Sequence, residues 1–182
     1  MATGFIQRMV RAARLDPALY EEVEADRGAT AQAAAVVVLA SIAAGIGGIY
    51  YAGGAGFIFT AIAALIGWVI WAGLVYLIGA KLLPEPQTRA DMGQLLRTIG
   101  FSSSPGLIRV LGIIPGIGFI FMAIGNIWML IAMVIGVRQA LDYNSTWRAV
   151  GVCFLGWIVQ LVVMFLLGGL VGGAAPVAPQ TA

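Results

Sequence analysis

Histidine is absent from this chain of 182 residues, and cysteine and charged residues are scarce. Without histidine, and with Cys153 as its one thiol, the chain lacks the ligands of a zinc site, the usual base of a nucleophilic triad and the means to form an internal disulfide. Charged residues make up 10% of the sequence, against about 25% in soluble domains. There is no P-loop or Rossmann fingerprint either. We therefore predict a membrane protein with no catalytic residue, no metal and no cofactor.

Apolar residues make up 61% of the chain, and its mean hydropathy is +0.98. They fall into five blocks, and a helix needs roughly 20 apolar residues to cross the hydrocarbon. The predicted spans are residues 31–52, 57–80, 98–114, 115–137 and 149–173. The fold class is therefore all-α: a polytopic bundle of five transmembrane helices over 31–173, after a cytoplasmic helical segment at 1–30. The uncharged tail, 174–182, is expected to be disordered.

The basic residues indicate the orientation. Nine of the ten lie in alternate gaps between the blocks, namely Arg8, Arg11, Arg14, Arg27, Lys81, Arg89, Arg97, Arg138 and Arg148. Because cytoplasmic segments retain Lys and Arg, the N-terminus is expected in the cytoplasm and the C-terminus outside. The first apolar run starts near Ala31, after a charged segment too long for a signal peptide. Abundant Arg, Ala and Gly, which have GC-rich codons, indicate a bacterial source and hence the inner membrane.

The N-terminal segment is expected to form two short helices. The first covers residues 5–14 and has an apolar and a polar arc. The apolar arc consists of Phe5, Ile6, Met9, Val10 and Ala13, and the polar arc consists of Gln7, Arg8, Arg11 and Arg14. Such a helix lies in the headgroup plane with its arginines toward anionic lipid, or docks on the protein's own spans.

The second helix starts at Asp16-Pro17, a preferred N-cap followed by a preferred first residue. An apolar stripe for docking follows, made of Leu19, Tyr20 and Val23. The acidic residues of this helix are candidates for facing a protein partner; they are Glu21, Glu22, Glu24 and Asp26.

The third span is expected to be kinked or broken where Ser102, Ser103, Ser104 and Pro105 interrupt it. Proline has no N–H for the helical ladder, and serine hydroxyls can satisfy the groups left open. Such a break forms a ligand or ion site in some membrane proteins and a packed kink in more of them.

Arg109 is the one charge well inside an apolar block, and no acidic residue lies within any span to pair with it. It is expected to reach the outer head groups, with an anion or lipid head group as the alternative contact. Asn126 and Gln160 lie near mid-membrane, where bonding between helices is the commoner role. With the three serines, these residues form the candidate polar cluster: Ser102, Ser103, Ser104, Arg109, Asn126 and Gln160.

Residues 95–152 resemble the Yip family of Ypt/Rab-interacting proteins, with its Yip-one domain, through LLRTIGFSSSPGLIRVLGIIPGIGFIFMAIGNIWMLIAMVIGVRQALDYNSTWRAVGV. The similar features are a small residue-Ser-Pro opening to a weak third span, a Pro-Gly turn, a fourth span ending in Gly-Val-Arg and a short inner loop. The upstream segment DPALYEEVE is similar to that of prokaryotic members. The resemblance implies an integral membrane protein without catalytic residues. Eukaryotic members bind Rab GTPases through a longer N-terminal region and a D-L-Y-G-P signature that this chain lacks, so Rab binding is not expected.

The expected function is a non-enzymatic membrane protein that organises membrane or partner proteins. The alternative is a small transporter or lipid-handling protein that uses the broken third span. The expected partners are the bilayer, including anionic lipid, and a protein partner or a second copy. Nucleic acid is not expected, because no basic stripe accompanies the net charge of +2. A polar cavity converging on the candidate cluster would favour the alternative, and a solid bundle would favour the scaffold.

Overall fold

Helices make up most of the described part of the chain in its computed structural model, which describes residues 4–49 and 57–172. No strand occurs within these residues. The elements are α1 (Phe5–Ala13), α2 (Pro17–Ala25), α3 (Ala29–Gly47), α4 (Phe57–Val75), a π-helical continuation (Tyr76–Leu82), α5 (Met92–Phe101), a 3₁₀ helix (Ser104–Ile113), α6 (Gly118–Ala140) and α7 (Thr146–Gly172). The tail 174–182, which was expected to be disordered, lies outside the described residues.

Four helices of the described part are long and apolar enough to cross a membrane. They are Ala29–Gly47, Ala61–Leu82, Gly118–Ala140 and Thr146–Val163. These helices agree with the predicted first, second, fourth and fifth spans, so the all-helical membrane fold is confirmed. Much of their surface is apolar and exposed, as expected of helices whose solvent is lipid.

The predicted third span is two short helices rather than one. Helix α5 ends at Phe101, and the 3₁₀ helix begins at Ser104 with Pro105 in its first turn. Proline is tolerated in a first turn, where its missing N–H has no intrahelical partner to lose. The predicted break at Ser102–Pro105 is confirmed. Within the described residues four helices, where five were predicted, are long and apolar enough to cross a membrane unbroken.

Polar contacts join the N-terminal segment to one end of the bundle. The Gln94 side chain donates to Glu24 at 2.9 Å, and that of Gln139 donates to Glu21 at 2.8 Å. The loops after α4 and α6 meet there too, since Gln87 donates to the carbonyl of Asp142 at 2.9 Å. The basic residues predicted to be cytoplasmic therefore gather around one end, which we call the polar end.

Helix α2 docks through the stripe that the sequence indicated. Asp16 caps it by accepting a hydrogen bond from the N–H of Ala18 at 3.0 Å, and Pro17 is its first residue. Leu19, Tyr20 and Val23 are fully buried. They cover the start of α3 and the end of α5, and α2 thereby closes the polar end of the bundle.

Two arginines of α1 do not face lipid head groups, contrary to expectation. Arg8 is buried and pairs with Glu22 at 2.9 Å and with Asp26 at 2.8 Å, while Arg11 pairs with Asp16 at 2.7 Å and also with Glu22. The turn after α1 folds its polar side back onto the acidic side of α2, and short-range attraction to carboxylates then decides the orientation.

At the opposite end, glycines let the backbones of α3 and the 3₁₀ helix touch. A Cβ added to Gly47 would overlap the carbonyl oxygen of Arg109, and one added to Gly112 would lie 2.8 Å from the carbonyl oxygen of Gly47. Gly118, the first residue of α6, likewise lies against Gly112. These contacts fix the 3₁₀ helix between α3 and α6.

We predict that Gly47→Ala lowers the free energy of unfolding by about 1–3 kcal/mol, because the new methyl group forces two backbones apart. Thermal unfolding in detergent micelles, followed by circular dichroism, measures the change. Gly151→Ala in α7 is the matched control, since an added Cβ there meets nothing within 4 Å and alanine favours the helix. Equal melting temperatures for the two variants would contradict the prediction.

Candidate functional site

The break between α5 and the 3₁₀ helix is held by hydrogen bonds around its serines. The hydroxyl of Ser102 lies 2.9 Å from the carbonyl of Thr98 and 3.1 Å from that of Ala132 in α6. The N–H of Gly106 donates to the carbonyl of Ser103 at 2.9 Å. These bonds satisfy several of the polar groups that the break leaves open inside the bundle.

Arg109 is held on the 3₁₀ helix by three neutral acceptors. Its Nε donates to the carbonyl of Gly106 at 3.0 Å, its Nη2 to the carbonyl of Ala40 at 2.9 Å and its Nη1 to Oδ1 of Asn126 at 3.3 Å. A guanidinium has five N–H groups, so two remain. Among the described residues, Arg109 makes no ion pair.

Two glycines make room for this side chain. A Cβ added to Gly106 would lie 2.9 Å from Nη2 of Arg109, and one added to Gly125 in α6 would lie 3.3 Å from its Cδ. The packing of the 3₁₀ helix against α6 therefore leaves a channel that the arginine fills along its length.

The guanidinium of Arg109 points into the bundle, and the expectation that it reaches the outer head groups is wrong. Its backbone lies beside Gly47, the last residue of α3, whereas its Nη2 bonds to Ala40. The separation of seven positions from Ala40 to Gly47 spans about 10 Å of helix. The three acceptors replace part of the hydration that head groups and water would have supplied.

A cavity of about 430 Å³ opens beside Arg109. Residues from α3, α4, α5, α6, α7 and the break line it. Its polar lining residues are Ser41, Ser103, Arg109 and Gln160, and its aromatic ones are Trp68, Trp71 and Trp157. Most of the remaining lining is aliphatic or methionine, so the cavity is an apolar space with one cation at its wall. We call it the Arg109 cavity.

The structure brings part of the predicted polar cluster together at the Arg109 cavity. Ser103, Arg109 and Gln160 line it, and Asn126 joins it through its bond to Arg109. The other two serines lie elsewhere: Ser102 faces α6, and Ser104 lines a separate groove beside α1. The hydroxyl of Ser104 is buried with no partner among the described residues.

Sequence reasoning missed the aromatic part of the Arg109 cavity. In the sequence, Trp68 and Trp71 look like bulky residues of the second span that face lipid or another helix. Trp71 is buried, and its indole N–H has no acceptor in the described part of the chain, whereas Trp68 donates to the carbonyl of Leu96 at 3.0 Å. The sequence feature that could have indicated the cavity is Ser41, a polar residue on the face of α3 that also carries the small residues Ala40 and Ala44.

The four acidic candidates of α2 all have partners within the chain. Glu22 and Asp26 bind Arg8, Glu21 accepts from Gln139, and Glu24 accepts from Gln94. Hydrogen bonding to Arg8 lowers the pKa of Asp26. These contacts fasten α2 to α1 and to the bundle. Whether the same carboxylates also meet a protein partner stays a prediction.

Glu24 differs from the other three because one of its oxygens is buried without a partner among the described residues. Burial raises the pKa of Glu24 to about 7, and the neighbouring carboxylates Asp142, Glu21 and Asp91 add to the rise, while Arg97 opposes it. The carboxyl therefore titrates near neutral pH in the folded protein.

The break, Arg109 and the cavity beside it belong to a part of the chain that matches a known domain. The family model of the Yip1 domain matches residues 15–167. The chain belongs to the Yip1 domain family. No curated protein and no solved structure matches it. The matched range contains α2, the four long helices of the described part and the break with Arg109, so the cavity lies inside the Yip1 domain.

We predict that Glu24→Gln stabilises the protein at pH 8 and leaves it unchanged near pH 4.5. The folded-state pKa of Glu24 is about 7, above the ordinary value of 4.5 for a glutamate. Below pH 4.5 the carboxyl is protonated in both the folded and the unfolded state and costs nothing. The wild type loses stability as the pH rises from about 4.5 to about 7, and the loss is complete above that. Thermal unfolding of purified protein at several pH values measures the difference.

Glu21→Gln removes the same charge from an exposed position of the same helix. Because Glu21 is one of the lesser causes of the raised pKa of Glu24, we expect an effect of the same sign but smaller. If the stability difference between Glu24→Gln and the wild type did not grow with pH, the buried-carboxyl interpretation would be wrong.

Proposed function

We propose that this Yip1 domain protein is a non-enzymatic membrane protein that organises the bilayer by binding lipid between its spans. The Arg109 cavity carries the proposal. A solid bundle would suit a scaffold that only holds other proteins, whereas a cavity of about 430 Å³ among membrane-spanning helices suits lipid handling. The proposal joins the expected organising role to its lipid-handling alternative.

The chemistry of the cavity supports binding rather than catalysis. The side chains and carbonyls around Arg109 are neutral acceptors, and a nucleophile with an adjacent base is not among the cavity residues. The low share of polar lining also disfavours a path for water or a hydrophilic solute. An acyl chain, in contrast, matches methionine, alanine and tryptophan walls.

We propose that the broken element crosses the membrane as a fifth span. Helix α5 and the 3₁₀ helix have ten residues each, which gives about 15 Å and about 20 Å along their axes. Together they suffice for a hydrocarbon core of about 30 Å. Gln94 contacts α2 at the polar end and Gly112 contacts the last residue of α3, which supports a crossing.

Five crossings place the termini on opposite sides. With nine of ten basic residues at or near the polar end, that end is the cytoplasmic one, in a bacterial inner membrane. Helix α1 then lies along the cytoplasmic interface. Its Phe5 and Met9 pack on the core, and Ile6 and Val10 are exposed to reach the acyl boundary.

Reporter fusions test this topology. We expect fusions after Lys81 and at Ala182 to report opposite sides of the membrane, because three crossings separate them. A fusion after Asp142 should agree with the one after Lys81, because the broken element and α6 both cross between them. If the fusion after Asp142 reported the side opposite to Lys81, and the fusion at Ala182 the same side as Lys81, the crossing of the broken element would be refuted.

Lipid binding is tested by filling the cavity. Gly67 lines it, and an added Cβ there meets nothing within 4 Å, so Gly67→Leu should fold and occupy the space. Native mass spectrometry after release from detergent measures the lipid that remains bound. We expect the wild type to retain lipid and Gly67→Leu to lose it. Ala63→Leu, at an exposed position of α4 outside the cavity lining, is the control. Equal retention in both variants would contradict the proposal.

A further inference from the structure

The charge of Arg109 has no counter-charge where it lies. All eight acidic residues are outside the apolar blocks, and those of the described ion pairs gather at the polar end with α1, α2 and the loop after α4. Ala40, Gly106 and Asn126 hydrogen-bond the guanidinium but do not neutralise it. Charges inside membranes are costly and mark ligand or ion pathways when they persist.

The remaining donors are placed at the Arg109 cavity. Two N–H groups of the guanidinium have no partner in the described part of the chain. Trp71, which is buried and lines the same cavity, also has an indole N–H without an acceptor among the described residues. One wall thus has a cation and unused donors, and the other walls are apolar.

We propose that the Arg109 cavity binds an anionic amphiphile, whose acidic group pairs with Arg109 and whose acyl chain lies against Trp68, Trp71 and Trp157. The inference rests on the proposed lipid binding and names the class of lipid. The shared chemistry is a phosphate or carboxylate on an acyl chain. A guanidinium binds either acid in a planar, charge-assisted pair, and burial in the bundle strengthens that pair.

The tryptophans of the cavity report on the site. Trp128→Phe and Trp147→Phe remove the two tryptophans that lie outside the cavity, so the remaining fluorescence comes from three residues of its wall. The full chain is reconstituted in phosphatidylcholine vesicles, into which phosphatidylglycerol or phosphatidylcholine with identical brominated chains is introduced. Bromine quenches tryptophan on contact, and surrounding lipid quenches equally in both series.

We expect the brominated phosphatidylglycerol to quench at about tenfold lower mole fraction than the brominated phosphatidylcholine, because a hydrogen-bonded charge pair favours the anionic lipid. Arg109→Gln should abolish the difference. Arg14→Gln, which removes the same charge from an exposed position outside the cavity lining, should retain it. Arg109→Lys should keep part of it, and this variant guards against a folding defect in Arg109→Gln.

Two further measurements in the same vesicles identify which acidic group binds Arg109. Brominated oleate that quenches as strongly as phosphatidylglycerol supports a carboxylate as an equal ligand. Inorganic phosphate that relieves the phosphatidylglycerol quenching at constant ionic strength would overturn the amphiphile in favour of a free anion.

Failure of the anionic preference and failure of the proposed lipid binding give different results. If both brominated lipids quench alike, and Gly67→Leu relieves the quenching while Arg109→Gln does not, lipid binding stands and the anionic preference is wrong. If Gly67→Leu relieves nothing in either series, the proposed lipid binding itself fails.

Discussion

The contact between two backbones at Gly47 is the constraint on which the interior of this protein depends. With no side chain there, the carbonyl of Arg109 can lie against α3, and the 3₁₀ helix is fixed at the Gly47 end. In lipid, helices gain little from burying apolar surface against each other, so close approach through small residues is a main source of attraction. The same contact sets where the side chain of Arg109 starts and therefore which acceptors it can reach.

Arg8, which is buried, and Arg109, which is half-buried, have opposite electrostatic surroundings. Arg8 lies among carboxylates of α2, so its charge is compensated within the chain. Arg109 lies among carbonyls and one amide, so its charge is solvated but not compensated. The first arrangement fastens α1 and α2 together; the second leaves an unmet attraction for an anion beside an apolar space.

Much of this fold follows from local rules that a sequence reveals. The four long helices come from apolar length, the start of α2 comes from Asp16-Pro17, and the break comes from the N–H that Pro105 lacks. These features need only neighbours along the chain. The ends of these helices agree with the predicted ones to within a few residues in most cases. The remaining differences are expected, because helix termini fray.

The features that sequence reasoning missed are those set by distant contacts. The polar arc of α1 was visible, but its pairing with Glu22 and Asp26 needs a turn whose direction no local pattern specifies. The inward path of Arg109 depends on Ala40, which is 69 residues away along the chain. The cavity arises where five helices and the break fail to fill the space between them, and tryptophans at its wall look in sequence like any others in a span.

The depth of Arg109 has an electrical consequence. Its guanidinium lies about 10 Å along α3 from Gly47, roughly a third of the way through a hydrocarbon core of about 30 Å. A unit charge that crosses a membrane potential of 100 mV changes in energy by about 2.3 kcal/mol, so an anion that enters to this depth experiences roughly a third of that. In the proposed topology, with the Gly47 end outward and the cell interior negative, the potential opposes the entry of an anion from that end. Under that proposal, occupancy of the cavity is coupled to the energised state of the membrane.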